Sequence, residues 1–179
     1  MKSKALRLWS ILLPLILVGV SVTLAFIVRS SHTLNNVFTV GEIEIALTET
    51  TGNQYTLIPG VDIKKDPTIT VKAGGEKCFL FVKALKTEGF DKYIDFTIAD
   101  GWMKLSSENN VYYREVKSSE SDQHIPILSE NEVTVKETLT EEELDAITQK
   151  PQLTFYAYAI QREGMETEKY AWSIIEKEE

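Results

Sequence analysis

Apolar and polar residues alternate along much of the chain with the period of two that is typical of β-strands. Within the segment 38–47, the apolar residues Ile43, Ile45 and Leu47 alternate with Glu42, Glu44 and Ala46. Because neighbouring side chains of a strand point to opposite faces of its sheet, this pattern predicts a strand with one buried face and one wet face.

Two further segments carry apolar residues on both faces. One runs from Lys77 to Ala84 and contains Cys78-Phe79-Leu80-Phe81-Val82, and the other runs from Leu153 to Ile160 after Pro151. A short continuous apolar run is typical of a strand that is covered on both sides. The sequence therefore predicts that the 77–84 strand is central in its sheet.

Shorter apolar runs, separated by turn residues, predict the remaining strands. They cover 55–58, 69–71, 93–98, 111–116 and the region of Val133 and Val135. Short strands at intervals of about 8–12 residues favour a sandwich or jelly roll. We therefore expect a mainly β fold, a jelly-roll-like antiparallel β-sandwich with one or two short helices.

Two helices are predicted from their N-terminal signals. Thr140 is followed three residues later by Glu143, which is the pattern of a capping box, and this helix should run to about Gln149. Thr167 should cap a C-terminal helix with one apolar face, formed by Tyr170, Ala171, Ile174 and Ile175.

The N-terminus has the form of a secretory signal. Lys2, Lys4 and Arg7 precede an uncharged stretch from Leu8 to Val28, and small residues lie near its end. The preferred cleavage site follows Ala25, which would make Phe26 the new N-terminus. An uncleaved membrane anchor is the alternative, since about 20 apolar residues also span a bilayer. The positive N-terminus places the rest of the chain outside the cell in both cases.

These features divide the chain into three parts. We expect a signal peptide over 1–25, an N-terminal arm over 26–36 and one β-sandwich domain over 37–179. The chain carries a net charge of −8 at pH 7, and removal of the basic signal would make it more acidic still. An acidic surface repels nucleic acid and anionic lipid, so neither is expected as a primary partner.

Residues that could perform chemistry are few. Cys78 is the single cysteine, and its apolar surroundings predict a buried core residue; an intermolecular disulfide is the alternative. The two histidines, His32 and His124, are far apart and belong to no zinc-protease motif. We therefore predict no catalytic residue, no metal ligand and no cofactor, and we do not expect an enzyme.

The N-terminal region resembles the TasA/camelysin family. The residues that carry the resemblance are the Ala25-Phe26 junction, Asn35-Asn36, and the strand Phe38-Thr39-Val40-Gly41 with Ile43 and Ile45. Further on, Pro59-Gly60, Lys65-Asp66-Pro67 and the turn Gly74-Gly75 before an apolar strand match the same pattern. The resemblance is strongest over 24–47 and weak between about 88 and 140.

This resemblance implies a jelly-roll domain exported by the general secretory route, with a signal cut by a dedicated signal peptidase. Family members include the major protein of biofilm matrix fibres and camelysin, a cell-surface metallopeptidase. In the fibre-forming members, the freed N-terminal arm becomes a strand of the next subunit. The corresponding donor arm here is 26–36, with Phe26, Val28 and Leu34 as its apolar positions and Ile27 on the opposite face.

Three functions therefore remain open at the level of sequence. The first is a secreted matrix or surface subunit that self-associates into fibres, with the signal peptidase and possible matrix or cell-wall components as partners. The second is a camelysin-like metallopeptidase. The third is a monomeric surface binding module held by an uncleaved signal. In the first case the chain meets the membrane only through its signal segment, before cleavage.

Overall fold

The structure is a computed structural model, and it describes residues 33–34, 37–40, 42–51 and 55–178. The predicted signal or transmembrane helix lies outside these residues. Among the described residues, none of the helices is both long enough and apolar enough to span a membrane. Thr33 to Glu179 form one compact unit.

The described residues form a mainly β fold, as predicted. The strands are, in chain order, β1 Thr33–Leu34, β2 Val37–Val40, β3 Ile45–Thr48, β4 Asp62–Lys64, β5 Thr68–Val71, β6 Cys78–Lys86, β7 Ile94–Asp95, β8 Met103–Lys104, β9 Val111–Val116, β10 Gln123–Pro126, β11 Glu132–Val135 and β12 Leu153–Gln161. The α-helices are α1 Phe90–Tyr93, α2 Glu141–Asp145 and α3 Glu168–Glu178, and a 3₁₀ turn spans Ser129–Asn131.

The strands are arranged in three sheets. The largest has the order β2-β12-β6-β9-β8, and the other two have the orders β1-β3-β5-β10 and β4-β11-β7. Every strand pair is antiparallel except β2 with β12, which is parallel. The central position of β6 confirms the prediction made from its two apolar faces.

The five-stranded sheet is covered on both faces. Its inner face contributes Leu80, Val82 and Phe155 to a core shared with residues of the two smaller sheets, such as Leu47 and Val135. Its outer face packs against α3 in a second core, which contains Phe79, Phe81, Leu105, Val111, Tyr158, Ile160, Ala171, Trp172 and Ile175. The unit from Thr33 onward is therefore a sandwich of sheets with α3 packed on its outer face.

Three predicted strands are corrected by the structure. The segment 38–47 is split into β2 and β3, which belong to different sheets. Residues 55–58 form no strand, and Tyr55 and Ile58 are exposed there. The segment 93–98 forms only the two-residue β7, because Tyr93 ends α1. In the last two cases, apolar residues contact the core from outside a strand, as Leu57 and Phe96 do.

Both predicted helices are present, but α2 ends earlier than predicted and the buried face of α3 differs in part from the predicted one. The capping box is formed, because Thr140 and Glu143 bond each other's backbone N–H, but α2 ends at Asp145 rather than near Gln149. Thr167 accepts a hydrogen bond from the Tyr170 N–H at 3.1 Å, as a cap should. Tyr170 itself is 51% exposed, so it is not on the buried face, where Trp172 lies instead.

Candidate functional site

The N-terminal strands occupy an edge of both large sheets. Thr33–Leu34 pairs with Thr48 and Leu47 at the edge of the four-stranded sheet, and β2 is an edge of the five-stranded sheet. Of the predicted site residues, only Leu34 is described, and its backbone is opposite Leu47. Ala25, Phe26 and Val28 lie outside the described residues.

The side chains on one face of β2 pack against the core. Phe38 and Val40 pack into the outer core, and the ring of Phe38 lies 6.4 Å from that of Tyr158 between centroids. Val37 is 38% exposed, and Thr39 is exposed as well. The burial of Phe38 and Val40 holds β2 against β12, while the alternate side chains stay accessible.

The register of β2 determines which backbone groups face outward. Val37 to Val40 pair in parallel with Ala157 to Ile160 of β12. The Thr87 N–H donates to the Gln152 carbonyl and the Arg162 N–H donates to the Lys77 carbonyl, so even-numbered residues along β12 bond toward β6 and odd-numbered ones toward β2. In a parallel pair those odd-numbered residues bond to the neighbours of their partners, so the N–H and C=O groups of Phe38 and Val40 point toward β12. The N–H and C=O of Thr39 therefore point away from the sheet.

β1 pairs with β3, and Asp66 holds the residues that follow the C-terminal end of β3. Its carboxylate accepts hydrogen bonds from the backbone N–H groups of Thr50 and Thr51, at 2.8 and 2.9 Å, and from both threonine hydroxyls. Burial alone would raise the pKa of Asp66, but these hydrogen bonds outweigh it and hold the pKa well below its usual range.

An ion pair supports the same turn. The Lys65 ammonium lies 2.9 Å from the Glu49 carboxylate, and the two side chains are only 14% and 12% exposed. Charged groups that are this well shielded form a stronger pair than exposed ones, although desolvation reduces the net gain. Together with Asp66, this pair fixes the residues that follow β3.

Residues with reactive side chains do not come together in the described part of the chain. Cys78 is buried at 0% exposure on β6, as predicted, and burial raises the pKa of its thiol to about 11. His124 lies on β10, where its Nδ1 is 3.0 Å from the Thr70 hydroxyl. No group of three or more potential metal ligands is present among the described residues.

The sequence prediction missed the crossing between sheets after β2. The buried side chains switch from even positions, Phe38 and Val40, to odd positions, Ile43, Ile45 and Leu47. Gly41 lies at the point where this parity changes. The change of parity together with the glycine is the signal that would have indicated two strands.

Comparison with family models, with curated proteins and with solved structures finds no match to this chain.

Proposed function

We propose that this chain is a secreted structural protein of the cell surface or biofilm matrix, which self-assembles head to tail through its N-terminal arm. The observation that carries the proposal is the position of β1 and β2. The N-terminal segment supplies an edge strand to each of the two larger sheets. The residues before Thr33 therefore lead into the domain at a sheet edge, where strand exchange between copies is possible.

Strand exchange between copies relies on main-chain hydrogen bonds for affinity and on side-chain positions for register. Edge strands of two and four residues bury little area, so such short pairings form and break more easily than the nine-residue pairing of β6 with β12. A cleaved arm with apolar positions at Phe26 and Val28 would add a longer strand. The contact joins different surfaces of two copies, so it extends into a filament rather than closing.

Export is the second part of the proposal. The basic residues and apolar stretch of the N-terminus support passage by the general secretory route, and a signal peptidase would release Phe26. The arm would remain tethered to the membrane until that cut, so cleavage would control when assembly begins. Matrix or cell-wall components are possible further partners, and nucleic acid is not proposed.

The test is expression of the full chain in a secreting Gram-positive host. Mass spectrometry of the exported protein should give Phe26 as its first residue, and electron microscopy should show filaments. The matched variant is Ala25→Phe, whose bulky side chain blocks cleavage at that site. We expect this variant to stay with the membrane and to form no filaments.

Two results would overturn the proposal. Wild-type protein that starts at Phe26 yet stays monomeric at high concentration would exclude assembly through the arm. An intact N-terminus on the surface-bound protein would favour the anchored binding module. Protease activity that a chelator abolishes, in pure wild-type protein, would favour the metallopeptidase instead.

A further inference from the structure

The five-stranded sheet has an incomplete edge on the side opposite β2. β9 extends from Val111 to Val116, but β8 pairs only with Tyr112 and Tyr113. Gly101, just before β8, has a φ of 85°, which is a left-handed conformation. The chain turns there, so β8 does not continue beside the last part of β9. Among the described residues, the last part of β9 therefore has no neighbouring strand on this side.

Hydrogen-bond alternation shows which backbone groups are left open. The Leu105 N–H donates to the Val111 carbonyl at 2.9 Å, and the Ala84 N–H donates to the Asn110 carbonyl at 2.8 Å. Residues of β9 with odd numbers therefore bond toward β8, and those with even numbers bond toward β6. The N–H and C=O of Glu115 face the open edge and have no backbone partner within the described residues.

A cleft of about 390 Å³ lies beside this open position, and we name it the β9 cleft. Phe79, Met103 and Tyr113 supply its apolar surface, and Met103 is 49% exposed. The start of α3 supplies Glu166 and Glu168. Burial raises the pKa of the Tyr113 hydroxyl, and the negative charges of Glu168 and Glu115 raise it further, so both carboxylates lie close to this hydroxyl.

Among the described residues, some charged side chains of the β9 cleft are paired and others are not. The Arg162 Nε donates to the Glu115 carboxylate at 3.0 Å, and its guanidinium lies 4.7 Å from the centre of the Phe79 ring. The Arg114 guanidinium lies against the Trp102 ring at 5.6 Å. Glu166 and Glu168 form no ion pair within the described residues. The cleft can therefore accept a strand that carries a cation.

The arm before Thr33 combines apolar residues with one cation. Residues 26–32 read Phe-Ile-Val-Arg-Ser-Ser-His, with one arginine, Arg29, and no acidic residue. In an extended strand, Arg29 shares a face with Ile27, while Phe26 and Val28 lie on the other face. One side of a strand placed along the open edge of β9 would face Glu166 and Glu168, and the other would face the layer that contains Trp102.

We infer that the β9 cleft is the acceptor for the arm of a second copy of this chain, with Arg29 facing Glu166 and Glu168. This inference rests on the proposed function, since it locates the contact that assembly requires. The arm leads into β1, at an edge of the four-stranded sheet, and the acceptor lies along β9 and β8, at an edge of the five-stranded sheet. The contact joins unlike surfaces of two copies, so successive copies would form an open and polar arrangement.

Charge exchange between the two sides tests the inference. Arg29→Glu on the arm and the double variant Glu166→Lys/Glu168→Lys on the cleft should each raise the concentration needed for assembly by about tenfold or more, because each sets like charges against each other. An equimolar mixture should assemble as the wild type does, since each arm then meets a cleft of opposite charge. Sedimentation velocity and electron microscopy of protein starting at Phe26 measure both effects.

Two controls separate charge at the cleft from other effects. Glu88→Lys/Glu142→Lys changes the net charge equally at exposed residues away from β9, and it should assemble normally. Thr39→Pro removes an N–H that points away from the sheet, so it blocks pairing at the outer edge of β2 and should leave assembly unchanged. Thermal melting must show that every variant is folded.

The outcomes distinguish the inference from the proposed function. Wild-type protein that does not assemble overturns both. Wild-type assembly with no effect of the charge variants, or with no recovery in the mixture, overturns the β9 cleft and leaves head-to-tail assembly in place. Loss of assembly in folded Thr39→Pro locates the contact at β2 and also overturns the β9 cleft.

Discussion

Asp66 shows how a single carboxylate fixes a turn next to the edge strands. Its carboxylate accepts hydrogen bonds from two consecutive backbone N–H groups and from two hydroxyls. We expect Asp66→Ala to lower the free energy of unfolding by about 3 kcal/mol, since charged acceptors contribute more than neutral ones. Urea unfolding measures the change.

The same residue predicts a dependence on pH. Because folding lowers the pKa of Asp66, its contribution is fully present above the pKa of the unfolded chain, about 4, and is lost as the pH falls toward the folded value. The stability difference between wild type and Asp66→Ala should thus be constant near pH 7 and shrink below about pH 4. Asp145→Ala, at an exposed position, should show neither effect. An unchanged difference at pH 2 would contradict this account.

Cys78 should be unreactive in the folded protein. Its side chain is fully buried, and burial raises the pKa of the thiol to about 11, so little thiolate exists at pH 8. Alkylation by iodoacetamide should be roughly a thousandfold slower, or more, than in urea, because it requires opening of the core. Mass spectrometry follows the reaction.

A matched cysteine makes this test specific. Ser118→Cys introduces a thiol at an exposed position, and it should react rapidly under the same conditions. Rapid native modification of Cys78 would instead show that β6 opens readily, and would revive an intermolecular disulfide as a means of association. The buried position favours the prediction that Cys78 has a packing role.

At the scale of elements, α3 is held mainly by Trp172. Its ring lies 5.3 Å from the rings of Phe81 and Tyr158, and its buried indole N–H has no hydrogen-bond partner among the described residues. Trp172→Ala should cost about 3–5 kcal/mol, as deletion of a large buried ring does. Trp172→Phe should stay within about 1 kcal/mol of wild type, because it removes the unsatisfied donor together with part of the ring.

Chemical denaturation of both variants, followed by tryptophan fluorescence and circular dichroism, checks this order. Tyr170→Ala is the control on the same helix, and its 51% exposure predicts a change within about 0.5 kcal/mol. Equal losses in Trp172→Phe and Trp172→Ala would mean that the indole N–H contributes to stability after all.

Elements with two apolar faces or a clear cap could be predicted from the sequence. β6, β12 and the start of α2 belong to this group, because local pattern and tertiary environment favour the same structure there. Residues 55–58 and 93–98 were predicted wrongly, since apolar residues also contact the core from loops and from short helices. The segment 38–47 was interpreted as one strand because each half keeps period two, and the change of parity at Gly41 is the part of the pattern that indicates two strands.

The candidate site was only partly accessible to sequence reasoning. The arm is predicted from its position after the predicted signal and from the resemblance of this region to a known family, and it stays a prediction. The β9 cleft was not, because Glu115, Gly101 and Glu168 are distant in sequence and meet only through the register of β8 on β9 and the packing of α3. Sheet register depends on long-range pairing, which a local pattern does not specify.

For the whole molecule, the order of strands gives the five-stranded sheet two unlike edges. One is occupied by the N-terminal β2, and the other ends in the short β8 and the open part of β9. Natural sheets normally protect such edges with short strands or charges, and Lys104 on β8 serves that purpose. Among the described residues, the position beside Glu115 combines open backbone groups with a cleft.

Two truncations separate assembly from folding at this scale. Removal of residues 26–32 leaves the compact unit from Thr33 onward, so its unfolding free energy should match that of the chain beginning at Phe26 within about 0.5 kcal/mol. That protein should sediment as a monomer, because it has no arm to donate.

Removal through Val40 also deletes Phe38 and Val40 from the outer core and should cost roughly 2–4 kcal/mol. Thermal melting and sedimentation velocity distinguish the two effects. Filaments from the shorter deletion would show that the arm is dispensable, and an equal loss of stability in both proteins would show that residues 26–32 contribute to the folded domain of their own subunit.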